Sequence, residues 1–202
     1  MILKSKQKAD REMKTTFYAM LFRQKYINRW GLMNNSRNET LSEHSFETAV
    51  TAHALALIGN TYFGRSYNAD RIAVEALFHD STEVFTGDMP TPAKYFSPEL
   101  RKSYAKLEEN AIEAFISKLP DELKAQYYDL LCPSDEDNKL LIKIADKLCA
   151  YIKCIDEIKV GNNEFRDAAE STLRSLQKYD SPELKYYMEN ILPTFEMTVD
   201  QL

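Results

Sequence analysis

Glycine and proline are scarce in this chain, with five and seven among 202 residues. Sandwiches and small barrels spend both on their many turns, and disordered chains are commonly richer in proline, so neither class fits. Cysteine is scarcer still. Cys132, Cys149 and Cys154 are odd in number, and none belongs to a C-x-x-C. That excludes a paired disulfide framework and points to reduced thiols. No stretch reaches the roughly 18 apolar residues of a membrane span. The N-terminal MILKSKQKADREMK has neither an apolar h-region nor a cleavage site, so the expected location is the cytoplasm, with no membrane partner. An excess of positive charge is also missing: 26 Lys and Arg stand against 31 Asp and Glu, a formal net charge of −5. Neutralising a polyanion needs a basic surface, so a nucleic-acid polymer is an unsuitable partner. A small anion remains open if local cations or a metal ion receive it.

What is present reads as one soluble globular unit, 44% hydrophobic and 28% charged. Residues 1–14 form a polar lead-in, and 15–202 a single domain. Phe17, Leu21, Phe22 and Ile27 recur at helical spacing within 15–28. Ser42 is the expected N-cap of a helix that Gly59 or Asn60 closes, and Asn68 caps one that runs unbroken through Phe85 until Gly87 stops it. Pro90 and Pro92 then predict an extended turn. Further helices are expected over 98–118 and 121–131, then from a capping-box-like Ser134/Asp137 start to Gly161, and over 162–178 and 181–191. Leu141, Ile144, Leu148, Ile152 and Ile155 form the apolar stripe of the helix that Gly161 ends. No run of period two is convincing. The expected class is all-α, a compact orthogonal bundle.

Chemistry concentrates in few residues. The chain has three histidines, His44, His53 and His79. His79 is followed at once by Asp80, and Asp146 interrupts a helix beside its apolar stripe, where an unpartnered carboxylate is costly. His44, His79, Asp80 and Asp146 together offer two imidazoles and two carboxylates from three helices. That donor set suits a divalent metal and leaves positions for water. Glu83, four residues after His79 and three after Asp80, falls on the same helical face, where it could orient such a water or take its proton. Asp88 sits just past the helix end on the GDMPTP turn. His53, nine residues from His44, points to the opposite face and reads as a packed histidine. Arg29 can grip a phosphate bidentately, and the only tryptophan, Trp30, offers a flat ring to a sugar or base. Each feature alone is weak, since adjacent His-Asp pairs are common by chance.

The order His44, His79-Asp80, Asp146 resembles the H…HD…D signature of HD-domain metal-dependent phosphohydrolases. "INRWGLM" (27–33), "SEHS" (42–45), "FHDSTEVFTGDMPTPAKYF" (78–96), "ADKLCAYIKC" (145–154) and "GNNEF" (161–165) are similar to the bacterial 5′-deoxynucleotidases of that superfamily. The resemblance implies an HD-domain helical bundle, usually a homodimer, that hydrolyses 2′-deoxyribonucleoside 5′-monophosphates to deoxynucleoside and phosphate. It implies His44, His79, Asp80 and Asp146 as ligands of Co²⁺, Mn²⁺, Zn²⁺ or a similar ion. It further implies Arg29 on the phosphate, Trp30 by the deoxyribose, and Asp88, Met89, Pro90 and Thr91 lining the substrate pocket. Glu83 and Asp88 become the catalytic carboxylates, with the acid and base assignments open. Three other readings compete. A pyrophospho- or triphosphohydrolase would need a further cation such as Lys94 in the pocket. A di-iron oxygenase would need more histidines than His53. A non-catalytic helical metal-binding module would hydrolyse nothing.

Overall fold

Thr40-Leu41-Ser42-Glu43 spells T-x-x-E, and in the computed structural model it forms a capping box. Glu43 N–H donates to the Thr40 hydroxyl, and the Thr40 N–H donates to the Glu43 carboxylate at 2.7 Å. The helix therefore starts two residues before the expected Ser42, which lies inside its first turn. The structure describes residues 15–202 apart from Tyr95; the expected lead-in, 1–14, lies outside the described residues.

In chain order the helices are α1 (Phe17–Leu21, continued as a 3₁₀ turn Phe22–Tyr26), α2 (Leu41–Tyr62), α3 (Ala69–Phe78), α4 (Glu83–Thr86) and α5 (Thr91–Lys94). Then come α6 (Pro98–Ile116), α7 (Asp121–Leu131), α8 (Glu136–Lys159), α9 (Arg166–Leu176) and α10 (Pro182–Asn190). Among the described residues there is no strand, only an isolated antiparallel bridge between Asn28 and Thr40. The all-α expectation holds, and no described helix is long and apolar enough to cross a membrane.

The long helices α2 and α8 pack with α3 and α10 around Leu55, Ile72, Leu141, Ile144, Leu148 and Leu184. Gly59 makes one close approach possible, because a Cβ there would sit 2.6 Å from the Tyr67 ring. A second cluster, Phe17, Phe115 and Leu119, seats α1, α6 and α7 against Phe78 and Val84, the residues that flank the His79-Asp80 turn. A third, Cys154, Phe165 and Ala169, receives Trp30 and Met33. Three clusters thus hold in place the start of α2, the end of α3 and the middle of α8, which carry the chemistry. The three cysteines are free thiols, as expected.

Several local boundaries differ from expectation. The helix expected to run through Phe85 breaks after Phe78. Ser81 N–H, Glu83 N–H and Val84 N–H bond back three residues rather than four, and the Ser81 hydroxyl donates to the Phe78 carbonyl at 2.8 Å. Asp-Ser-Thr is a run whose short polar side chains compete with the helical ladder. Asp135, not Ser134, caps α8, accepting from Asp137 and Asn138 N–H. Thr91–Lys94 forms a helical turn where an extended segment was expected; the φ of proline suits a first helical turn as well as a β turn. Loop 33–38 is clamped to α8 by the buried Glu157, which accepts from Ser36 N–H (2.9 Å), Arg37 N–H (3.3 Å) and Asn162 Nδ2 (2.8 Å), and pairs with Lys153.

Candidate metal centre and active site

The capping box fixes where the first turn of α2 points, and His44 lies in that turn, fully buried. His79 is the C-cap of α3, and Asp80 opens the tight turn after it. Asp146 projects from the middle of α8. One donor atom from each of His44, His79, Asp80 and Asp146 falls within 4.8 Å of the others. His44 Nε2 is 3.1 Å from Asp146 Oδ1 and 3.8 Å from Asp80 Oδ2, and His79 Nε2 is 3.0 Å from Asp80 Oδ2.

The residues fit a divalent ion on their own chemistry. His79 Nδ1 donates to the Ala76 carbonyl at 2.7 Å, which leaves the Nε2 lone pair for the cluster. That Nε2 is buried without a hydrogen-bond partner. Burial opposes a charge on His79, yet Asp80 and Asp146 drive its pKa up to about 9. Burial likewise opposes charge on Asp80, and His79, His44 and Arg29 still hold it well below the usual carboxylate range. The imidazole proton thus stands in for positive charge that a metal ion would supply while displacing it.

Around the cluster lie the other expected residues. Arg29 is almost wholly buried, with one terminal nitrogen 3.4 Å from Asp80 Oδ2. Burial disfavours its charge, but Asp146, Glu39, Asp80 and Asp88 outweigh this and raise its pKa. Trp30 has a left-handed backbone (φ 59°), a strained state for a bulky residue, held by Phe165 at 5.3 Å between ring centroids. Gly31, the next residue, is not left-handed. Glu83 opens α4 with a buried, unpartnered Oε2. Burial, then the charges of Asp80 and Asp88, push its pKa up to about 9. Gly87, at φ 73°, turns the chain so that Asp88 reaches the backbone amide of Trp30. Burial raises Asp88 despite Arg29.

Met89 and Pro90 are partly buried beside this site, whereas Thr91 is exposed at the start of α5, and no polar contact ties it to the cluster. Lys94 bonds Glu108 at 3.0 Å and lies 4.5 Å from the centre of the Tyr104 ring. His53 faces Asp70 at 3.5 Å, away from the cluster. One residue escaped the sequence analysis. Glu39 is buried between Arg29, Trp30 and His44, accepting from Trp30 Nε1 at 2.7 Å. Its signal was slight: a carboxylate just before a helix cap ordinarily reads as a solvated end charge.

Comparison with known proteins gives the family and the fold. A 5′-deoxynucleotidase of Vibrio parahaemolyticus is 43% identical over 92% of this chain and 97% of its own length. One from Yersinia pestis is 45% identical over 92% and 95%. Among solved structures, an HD-domain phosphohydrolase from Listeria innocua superposes with a TM-score of 0.78 at 27% identity, covering 89% of this chain and 88% of that one. A cyanophage S-2L HD phosphohydrolase bound to dA and one catalytic Zn²⁺ ion shares the fold, with a TM-score of 0.65 at 20% identity over 87% and 96% of the two chains. Residues 16–195 match the YfbR-like 5′-deoxynucleotidases, and the chain belongs to that family.

Proposed function

We propose that this protein hydrolyses 2′-deoxyribonucleoside 5′-monophosphates to deoxynucleoside and phosphate, using one divalent transition ion held by His44, His79, Asp80 and Asp146. The observation that carries the reading is the meeting of those four side chains with a buried arginine and an unpartnered carboxylate in one pocket. Co²⁺ or Mn²⁺ is the proposed ion, the working unit a homodimer in the cytoplasm, and residues 15–202 one catalytic domain. When bound, the ion supplies Lewis-acid charge that draws electron density from phosphoryl oxygens and lowers the pKa of water.

The side chains divide the remaining work. Arg29 binds the phosphoryl oxygens and offsets the charge they gain. Glu83 orients the attacking water through Oε2 and takes its proton; the Asp80 charge that helps raise its pKa is the one a bound cation offsets. Asp88 protonates the leaving 5′-oxygen, and burial shifts its pKa upward, the direction a general acid needs. Met89, Pro90 and Thr91 form the outer wall of the nucleoside pocket. Lys94, on which a polyphosphate reading turns, is paired with Glu108, lies over the Tyr104 ring and feels the charge of Glu83.

Trp30 is the proposed wall against a 2′-hydroxyl. A hydroxyl buried without a partner costs about 1–3 kcal/mol, roughly 10–100-fold in selectivity. Trp30→Ala is expected to raise kcat/KM on ribonucleotides relative to their deoxy twins by that order, and an unchanged ratio places the filter elsewhere.

The deciding experiment is phosphate release by metal-stripped protein resupplied with Co²⁺ or Mn²⁺. A deoxynucleoside monophosphate is compared with its ribonucleotide and its triphosphate. Release from the deoxy monophosphate alone supports the reading. Release from the triphosphate turns it to the pyrophospho- or triphosphohydrolase alternative, and no release with any ion leaves a helical metal-binding module.

A further inference from the structure

We infer that Glu39 is a positioning residue that joins the metal pocket to the sugar wall, one buried carboxylate steering the His44 imidazole with one oxygen and the Trp30 indole with the other. The inference rests on the assignment of the site given above. Glu39 is 7% exposed and has three N–H groups around it. Trp30 Nε1 donates to Oε2 at 2.7 Å, while His44 Nδ1 lies 3.3 Å and Arg29 Nε 3.6 Å from Oε1. The last two are contacts longer or more oblique than full hydrogen bonds. His44 Nδ1, Arg29 Nε and Glu39 Oε1 have no other partner and are buried, so they face one another alone. The backbone adds a fourth tie, Arg29 N–H to the Glu39 carbonyl at 2.9 Å.

The chemistry needs a group that only accepts. A carboxylate opposite Nδ1 keeps the imidazole proton there, so the lone pair sits on Nε2, the atom that faces Asp80 and Asp146. An amide of the same shape has one oxygen for three donors. With that oxygen on Trp30, its NH₂ meets His44 Nδ1 and Arg29 Nε, donor against donor. The imidazole relieves the clash by moving its proton to Nε2, where it blocks an ion. Because the two oxygens belong to one rigid group, disturbing the indole end also moves the imidazole end.

The test is a two-residue cycle read by calorimetric titration of Mn²⁺ into metal-stripped protein, which requires no turnover. Glu39→Gln is expected to weaken Mn²⁺ binding 10–100-fold, the range for outer-shell partners of metal ligands, with the melting temperature of the stripped protein close to wild type. Trp30→Phe keeps a ring, removes the indole N–H and touches no proposed ligand. It is expected to weaken Mn²⁺ binding severalfold, and that loss is expected to vanish when Gln already stands at 39. Wild-type affinity in either single variant, additive losses, or a loss that merely tracks a lowered melting temperature overturns the proposal. If Glu39→Gln does not fold, Trp30→Phe decides alone. Should wild-type protein bind Mn²⁺ yet hydrolyse no nucleotide, the proposed function fails while this cycle still decides the role of Glu39.

Discussion

Glu83→Gln is expected to bind Mn²⁺ as tightly as the wild type and to lose about 10²–10⁴ of turnover, the usual worth of a positioned acid or base. Glu83 stands outside the four-donor set, and its free Oε2 is the carboxylate oxygen left for a water. The same change has a second signature in metal-free protein. The folded pKa of Glu83 is about 9 against an ordinary 4.5, through burial first and then Asp80 and Asp88. A carboxyl raised on folding contributes stability that is complete below its unfolded pKa and is lost as pH climbs through the folded one. Wild-type apo-protein therefore weakens between about pH 4.5 and 9. The glutamine, permanently neutral, removes this part of the decline. Scanning calorimetry across that window should show the two melting curves diverging as pH rises, the variant melting higher at pH 8 while being catalytically poor. Turnover near wild type would remove Glu83 from the chemistry, and parallel melting curves would contradict its raised pKa.

Asp80→Asn is expected to abolish Mn²⁺ binding in the accessible range, a loss of more than about 100-fold, with phosphate release lost in step. Its Oδ2 is 3.0 Å from His79 Nε2, 3.4 Å from Arg29 and 3.8 Å from His44 Nε2, so it is the carboxylate oxygen shared by the arginine and both imidazoles. An asparagine retains the shape and forfeits the charge. Burial opposes a charge on His79, and the adjacent Asp80 carboxylate does most to raise its pKa against it. In stripped Asp80→Asn protein the His79 midpoint, followed by NMR, should fall from about 9 towards ordinary imidazole values or below. A high midpoint retained in the variant would mean that Asp146 alone sustains His79.

Of the four side chains that meet in the cluster, His79, Asp80 and Asp146 stood out in the sequence because each breaks a local rule, while His44 stood out only through the spacing it shares with them. Asp146 stands in a helix interior beside an apolar stripe, and His79-Asp80 ends a core helix. Helix existence was legible for the opposite reason, since Leu141, Ile144 and Leu148 follow helical spacing and are buried. What failed was competition between close local alternatives. Thr40 and Ser42 are both good caps, and only Thr40 is followed at the third position by the glutamate that closes a box. The break at Ser81 depends on side chains bonding their own backbone, which apolar periodicity does not register. Glu39 and the left-handed Trp30 were invisible for a different reason. Glu39 is fixed by Arg29, Trp30 and His44, which meet it only in the fold, and the Trp30 backbone is held by Phe165 and the loop that Glu157 clamps.

That loop has an evolutionary consequence. Its mouth is tied by main-chain bonds, Arg29 N–H to Glu39 carbonyl at 2.9 Å and Leu41 N–H to Ile27 carbonyl at 2.8 Å. Main-chain bonds are indifferent to side-chain identity, so Arg29 and Glu39 stay in register whatever passes between them. Leu32 and Asn38 are exposed within that span, so their side chains are open to substitution, while the backbone at 36 and 37 is held by Glu157. Evolution therefore has room at the exposed positions of the segment, whereas Trp30 and the backbone amides that Glu157 holds cannot change without disturbing the site.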